Sequence, residues 1–251
     1  YGESWFSFYK DPYVREQVIK ELRAIKETTN ADSVVLMIGA SDGITWPIAK
    51  TEEIQKIVSF INDAYLAGLR VILFVSTPCI IPNSVVPTDY RNKHVGGHKK
   101  GEIVNGNILW WDVVYCEDNN IELATNWYKQ IISGLETGLN SIDSIALLEI
   151  SGQPFLPFTA EINAFHDGFE FLSDAKNYVK ALIPALNNFT KIPIGVSLLP
   201  GNWSTDENFR YSFLTNFLDA VNINSIDYID ITSNVWIKPE AILNRAGWNN
   251  S

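Results

Sequence analysis

The run Ile145-Ala146-Leu147-Leu148 leads directly into Glu149-Ile150-Ser151-Gly152-Gln153-Pro154, and the fold is decided by what surrounds this decapeptide. Its apolar half predicts a strand over 144–150. Its polar half then sits at the carboxyl end of that strand. Outward in both directions the same grammar repeats: short apolar runs alternate with longer amphipathic ones, the pattern of βα units and a parallel sheet.

Towards the N-terminus, strands are predicted at 4–9, 33–38 and 70–75. The run over 33–38 is continuously apolar, as expected of a strand covered on both faces. Asp11-Pro12 supplies an N-cap and a proline for a helix with Val14, Val18, Leu22 and Ile25 on one face. A second helix carries Ile54, Ile57, Val58, Ile61 and Tyr65 and stops at Gly68; a third carries Leu123, Trp127, Ile131 and Leu135 and ends near Gly138. Trp127 is assigned to the core. Beyond the decapeptide, a helix over 169–186 is ended or kinked by Pro184. Strands follow at 192–199 and 228–232, with helices at 211–221 and 238–246.

The hexapeptide Glu149–Pro154, at the end of the fourth strand of this series, resembles the strand-four ending of the clan-A (β/α)8-barrel glycoside hydrolases, the clan of the family 5 cellulases. Their pattern there is Glu-x-x-Asn-Glu-Pro, and its second Glu is the general acid/base. The frame is kept at Glu149 and Pro154, while Gly152 replaces the Asn and Gln153 the catalytic Glu. The clan's Arg after strand two is missing from Leu36-Met37-Ile38-Gly39, and no strand-seven nucleophile is identified. The resemblance implies an α/β fold, a TIM-type (β/α) barrel with six βα units visible, and a glycan site at the carboxyl ends of its strands. It places Gln153 at the acid/base position without a transferable proton. Glu149 supports the site or acts directly, with burial raising its pKa.

No linker, repeat or low-complexity tract divides residues 1–251, so a single barrel domain is expected, with a long insertion at about 76–120. The remaining units of an eightfold barrel would come from strands inside that insertion or from chain beyond Ser251. An open sheet would expose an edge that self-assembly or a partner chain would cover. The start at Tyr1 fits a processed or trimmed chain.

Twenty-nine acidic against 19 basic residues give a formal charge of −10, which repels phosphate and argues against nucleic acid and anionic membranes. A neutral carbohydrate meets no such barrier. No apolar stretch approaches the roughly 18 residues of a membrane span, so no membrane insertion is expected.

Trp46, Trp110, Trp111, Trp203 and Trp236 follow predicted strands and, with His166 after strand four, make the expected sugar-binding set. Asp42 and Asp230 are further carboxylates near strands; alternation leaves the face of Asp230 open. His94 and His98 flank Gly96-Gly97, which breaks the helix a metal pair would need, so neither metal nor cofactor is expected. Nucleotide loops and serine-hydrolase elbows are absent. Cys79 and Cys116 bracket the insertion; two buried thiols and a disulfide closing it both remain open. Sequons at Asn188, Asn202 and Asn249 point to an extracellular or cell-surface glycoprotein.

Overall fold

The computed structural model describes residues 9–39, 44–45, 48–76, 80–82, 103–104, 107–109, 118–151, 168–198 and 226–231. In chain order these form α1 (Pro12–Thr29), β1 (Ser33–Gly39), α2 (Thr51–Leu66), β2 (Arg70–Ser76), β3 (Ile80–Pro82), β4 (Ile103–Val104), β5 (Asn107–Leu109), α3 (Asp118–Gly138), β6 (Ile145–Ser151), α4 (Gly168–Asn187), β7 (Ile194–Leu198) and β8 (Tyr228–Ile231). The expected strand at 4–9 and helices at 211–221 and 238–246 lie outside the described residues.

Local chemistry sets the helix ends. Asp11 caps α1, its carboxylate accepting from the Tyr13 N–H at 2.8 Å, and Pro12 occupies the first turn, where its missing N–H costs nothing. Gly68, two residues past α2, has φ +84°, a conformation open to glycine without strain. Pro184 does not end α4, which continues through it to Asn187. The helical stripes fade in their last turns: Ile25 is 38% exposed and Tyr65 39%.

Five strands form one parallel sheet in the order β1-β2-β6-β7-β8. The insertion does contain strands, but β3, β5 and β4 pair antiparallel in a separate sheet. They therefore add no unit to the parallel series.

The two faces of the parallel sheet differ most at β1. Leu36, Ile38, Leu73, Val75, Leu148, Ile150, Ile194 and Val196 are all at most 4% exposed and share one core with Ile57 and Ile61 of α2, Trp127 and Ile131 of α3, and Leu182 of α4. On the opposite face, Val35 and Met37 are each 61% exposed. The expectation that 33–38 is covered on both faces is thus overturned. β1 ends the described strand order, so these two side chains gain cover from a neighbouring strand on one side only.

One irregularity fixes which residues of β6 reach which face. Val71 pairs with Ile145, but Ile72 pairs with Leu147, so the register shifts by one residue at Ala146. Ile145, Leu148 and Ile150 consequently join the helix-packed core, while Leu147 and Glu149 fall on the other face. Unshifted pairing would bring Glu149 level with Val75, into the apolar core. Arg70 braces the shift, its guanidinium donating to the carbonyls of Asp143 (2.9 Å) and Ile145 (3.2 Å).

A polar knot joins the start of α1 to α2. Arg15 donates through Nε and Nη2 to both oxygens of Asp63, at 2.6 and 2.8 Å, and the Tyr9 hydroxyl donates to the same carboxylate. Burial works to raise the Asp63 pKa, but these hydrogen bonds and the Arg15 charge outweigh it and hold the group below its ordinary 3.8. Burial, with Asp63 alongside, pushes the Tyr9 phenol upward. A depressed carboxyl stabilises the fold fully above its unfolded pKa, and that contribution is lost as pH falls through the lower folded value. We predict that Asp63→Asn lowers unfolding free energy by about 2 kcal/mol at neutral pH, less than a fully buried pair because the Arg15 side chain is 48% exposed. Urea titrations of both proteins should show that gap closing below about pH 4; a gap that persists to lower pH would contradict the ion-pair account.

Candidate functional site

The register places a single row across the parallel sheet: Met37, Phe74, Glu149, Gly195 and Tyr228. All five occupy the face opposite the helices. Glu149 is at the centre, the fifth residue of seven in β6 and so nearer its carboxyl end. In α/β folds the carboxyl ends of parallel strands are where ligands bind. Glu149 is 5% exposed, whereas Tyr228 on the far strand is 54% exposed.

Asp230, the other carboxyl of the strand region, pairs with Ser197 in the ladder, two residues beyond Gly195.

Thr45, Ala49 and Lys50, between β1 and α2, are held by side chains of two helices. Glu53 accepts from the Thr45 N–H (2.7 Å), the Thr45 hydroxyl (2.6 Å) and the Lys50 N–H (3.2 Å). The Trp127 indole donates to the Thr45 carbonyl at 2.9 Å, and Gln130 accepts from the Ala49 N–H at 2.9 Å. Trp127 is accordingly core, as expected, but its indole nitrogen also fixes a loop. Thr45 immediately precedes Trp46, one of the expected sugar-binding residues.

Of the other expected site residues, Gln153, Trp46, Trp110, Trp111, His166, Trp203 and Trp236 lie outside the described residues, as do Asp42, His94, His98, Cys79, Cys116, Asn202 and Asn249. Asn188 is exposed just past α4, its N–H donating to the Pro184 carbonyl. Its sequon Thr190 donates to Glu136 at 2.6 Å. Among the described residues there is no cluster of three metal-ligating side chains, and no helix is long and apolar enough to cross a membrane. Tyr228, which the sequence does not single out, is brought into the row of Glu149 by the register.

No family model matches the sequence, and no curated protein matches it. Among solved structures, the chain is similar to the crystal structure of Fpglu1 from Fervidobacterium pennivoraus, with a TM-score of 0.51 at 13% identity over 86% of this chain. The match covers 49% of that protein, so the chain spans about half its length. This likeness is one of fold alone. Two structures of GH113 β-1,4-mannanase align over 85% and 88% of the chain with TM-scores of 0.26 and 0.25, too low to carry an argument.

The Glu53 clamp has a direct consequence. Glu53→Ala should lower stability by about 1–2 kcal/mol, since it removes charge-assisted bonds to a half-buried loop. Hydrogen exchange should accelerate at the Thr45 and Lys50 amides while the amides of β2 stay protected. Unchanged exchange at Thr45 would show that the clamp does not restrain the loop.

Proposed function

We propose that the parallel sheet belongs to a (β/α)8-type barrel formed by residues 1–251 as one domain, and that this barrel binds a polysaccharide or glycan at the carboxyl ends of its strands. The observation that carries the proposal is the position of Glu149: a buried carboxyl group on the non-helical face of a parallel sheet, near a strand's carboxyl end. The net charge of −10 disfavours anionic ligands and leaves neutral ones unopposed. The strand-four frame of Glu149 and Pro154, and the fold-level likeness to Fpglu1, agree with this reading.

If the protein cuts its ligand, hydrolysis requires one carboxyl to protonate the leaving oxygen and another to activate the attacking water or attack the sugar. Glu149 is the carboxyl proposed for one of these roles. Gln153 would then bind the glycosidic oxygen by hydrogen bonding without giving it a proton.

A second reading has its own support. Gln153 and Gly152 together remove the acid and its neighbour from the strand-four pattern. A scaffold without activity, serving as an extracellular surface, adhesion or assembly protein, accounts for both. The exposed Val35 and Met37 on β1 give such a protein an apolar edge for a partner chain or a second copy. The exposed sequon at Asn188 fits that location.

Binding and turnover on β-linked glucans and mannans, measured for the wild type and for Gln153→Glu, separate the readings. We expect the wild type to bind at least one glycan and to hydrolyse it slowly. With a second carboxyl in place, Gln153→Glu should raise turnover by about 100-fold or more, the usual worth of a general acid. A wild type that binds but a mutant that gains no activity favours the scaffold. Failure of both proteins to bind any glycan would sink the carbohydrate reading, and fast wild-type turnover indifferent to position 153 would relocate the acid.

A further inference from the structure

The exposed face of β1 has a claimant within the same chain. Val35 and Met37 are each 61% exposed, and among the described strands β1 has a neighbour, β2, on one side only. A sheet edge carrying apolar side chains is open to pairing with any extended segment that reaches it. The segment Ser4-Trp5-Phe6-Ser7-Phe8 stands just before the first described residue, Tyr9, and a strand is expected over 4–9.

Handedness, an anchor and alternation all bear on where that segment goes. Leu22 of α1 is buried in the core shared with α2, α3 and α4, so α1 lies on the same face of the sheet as they do. Crossovers between parallel strands keep a right hand, and the one from β1 through α2 leads to β2. A strand that reaches β1 through α1, with the same hand and on the same face, lies on the free side of β1. Tyr9 is the anchor. It is 3% exposed, its ring meets Phe60 of α2 edge-on at 5.7 Å, and its hydroxyl donates to Asp63. The preceding residues therefore leave from a point fixed against the helix that follows β1. At about 3.3 Å per residue, five extended residues cover about 16 Å, enough to run alongside Val35 and Met37. Alternation then divides the segment. Tyr9 points to α2, so in an extended run into it Ser7 and Trp5 share its face, and Phe8 and Phe6 take the face of Val35 and Met37.

We propose that residues 4–8 pair in parallel with the free edge of β1, and that Phe6 and Phe8 cover Val35 and Met37. The occupant of this edge is then the chain's own N-terminal segment, not a partner chain or a second copy. The placement rests on the barrel reading above, to which it supplies a strand, and makes no demand on glycan binding.

Met37 is the only methionine of the chain, which makes it a single-site reporter of that cover. Hydrogen peroxide gives one oxygen atom to its thioether and leaves as water, and the sulfoxide is followed by mass on the peptide that carries Met37. In the full-length wild type this oxidation should run about tenfold slower than in the urea-unfolded chain, at every protein concentration. Phe6→Ala and Phe8→Ala should each raise the folded rate about threefold, whereas Ser7→Ala, on the other face, should leave it unchanged. Melting temperatures check folding, and Phe6→Leu and Phe8→Leu, with a smaller rise, serve where an alanine variant does not fold. A wild type whose Met37 oxidises as fast as in urea overturns the proposal. Protection that fades on dilution assigns the edge to a second copy, and protection indifferent to Phe6 and Phe8 assigns it to another part of the chain; either result overturns it as well. Glycan binding is measured separately on the same proteins, so failure of this placement and failure of the carbohydrate reading are told apart.

Discussion

Parallel hydrogen bonding from β1 to β8 assigns every strand residue to one of two faces, and the one-residue shift at Ala146 determines how β6 divides. Without the shift, Leu147 would compete for the core and Glu149 would sit against Val75 and the helices. With the shift, three apolar residues of β6 face the helices, and Glu149, still only 5% exposed, goes to the other face. Arg70 satisfies the Ile145 carbonyl beside the shift, so the irregularity leaves that acceptor paired. Core and candidate site are therefore consequences of one register.

The same constraint explains how much could be read from the sequence. The βα series was legible because its signals are local. Asp11-Pro12 caps a helix by its own chemistry, Gly68 stops one, and the apolar runs at 70–75 and 144–150 name their strands within a residue or so. Faces are not local. Whether Val35 and Met37 are covered depends on what lies beside β1, and their side chains look no different from those of a central strand. Glu149 stands out in the sequence by its frame with Pro154, yet its face depends on a shift that no composition or period announces.

Charge and burial then narrow what such a face can do. Glu149 is buried on the face away from the helices, and the net charge of −10 repels phosphates. Binding and cleavage make separate demands on this surface. Binding a neutral ligand needs contact and hydrogen bonding alone. Proton transfer needs an acid of suitable pKa at the leaving oxygen, and Gln153 withholds it at the position where the resembled clan keeps one. A scaffold can lose the second requirement by a change as small as Glu to Gln while its register, and with it the first, stays intact. On the reading proposed above, the acid would have to come from another carboxyl, and Glu149 is one that the register places on the face away from the helices.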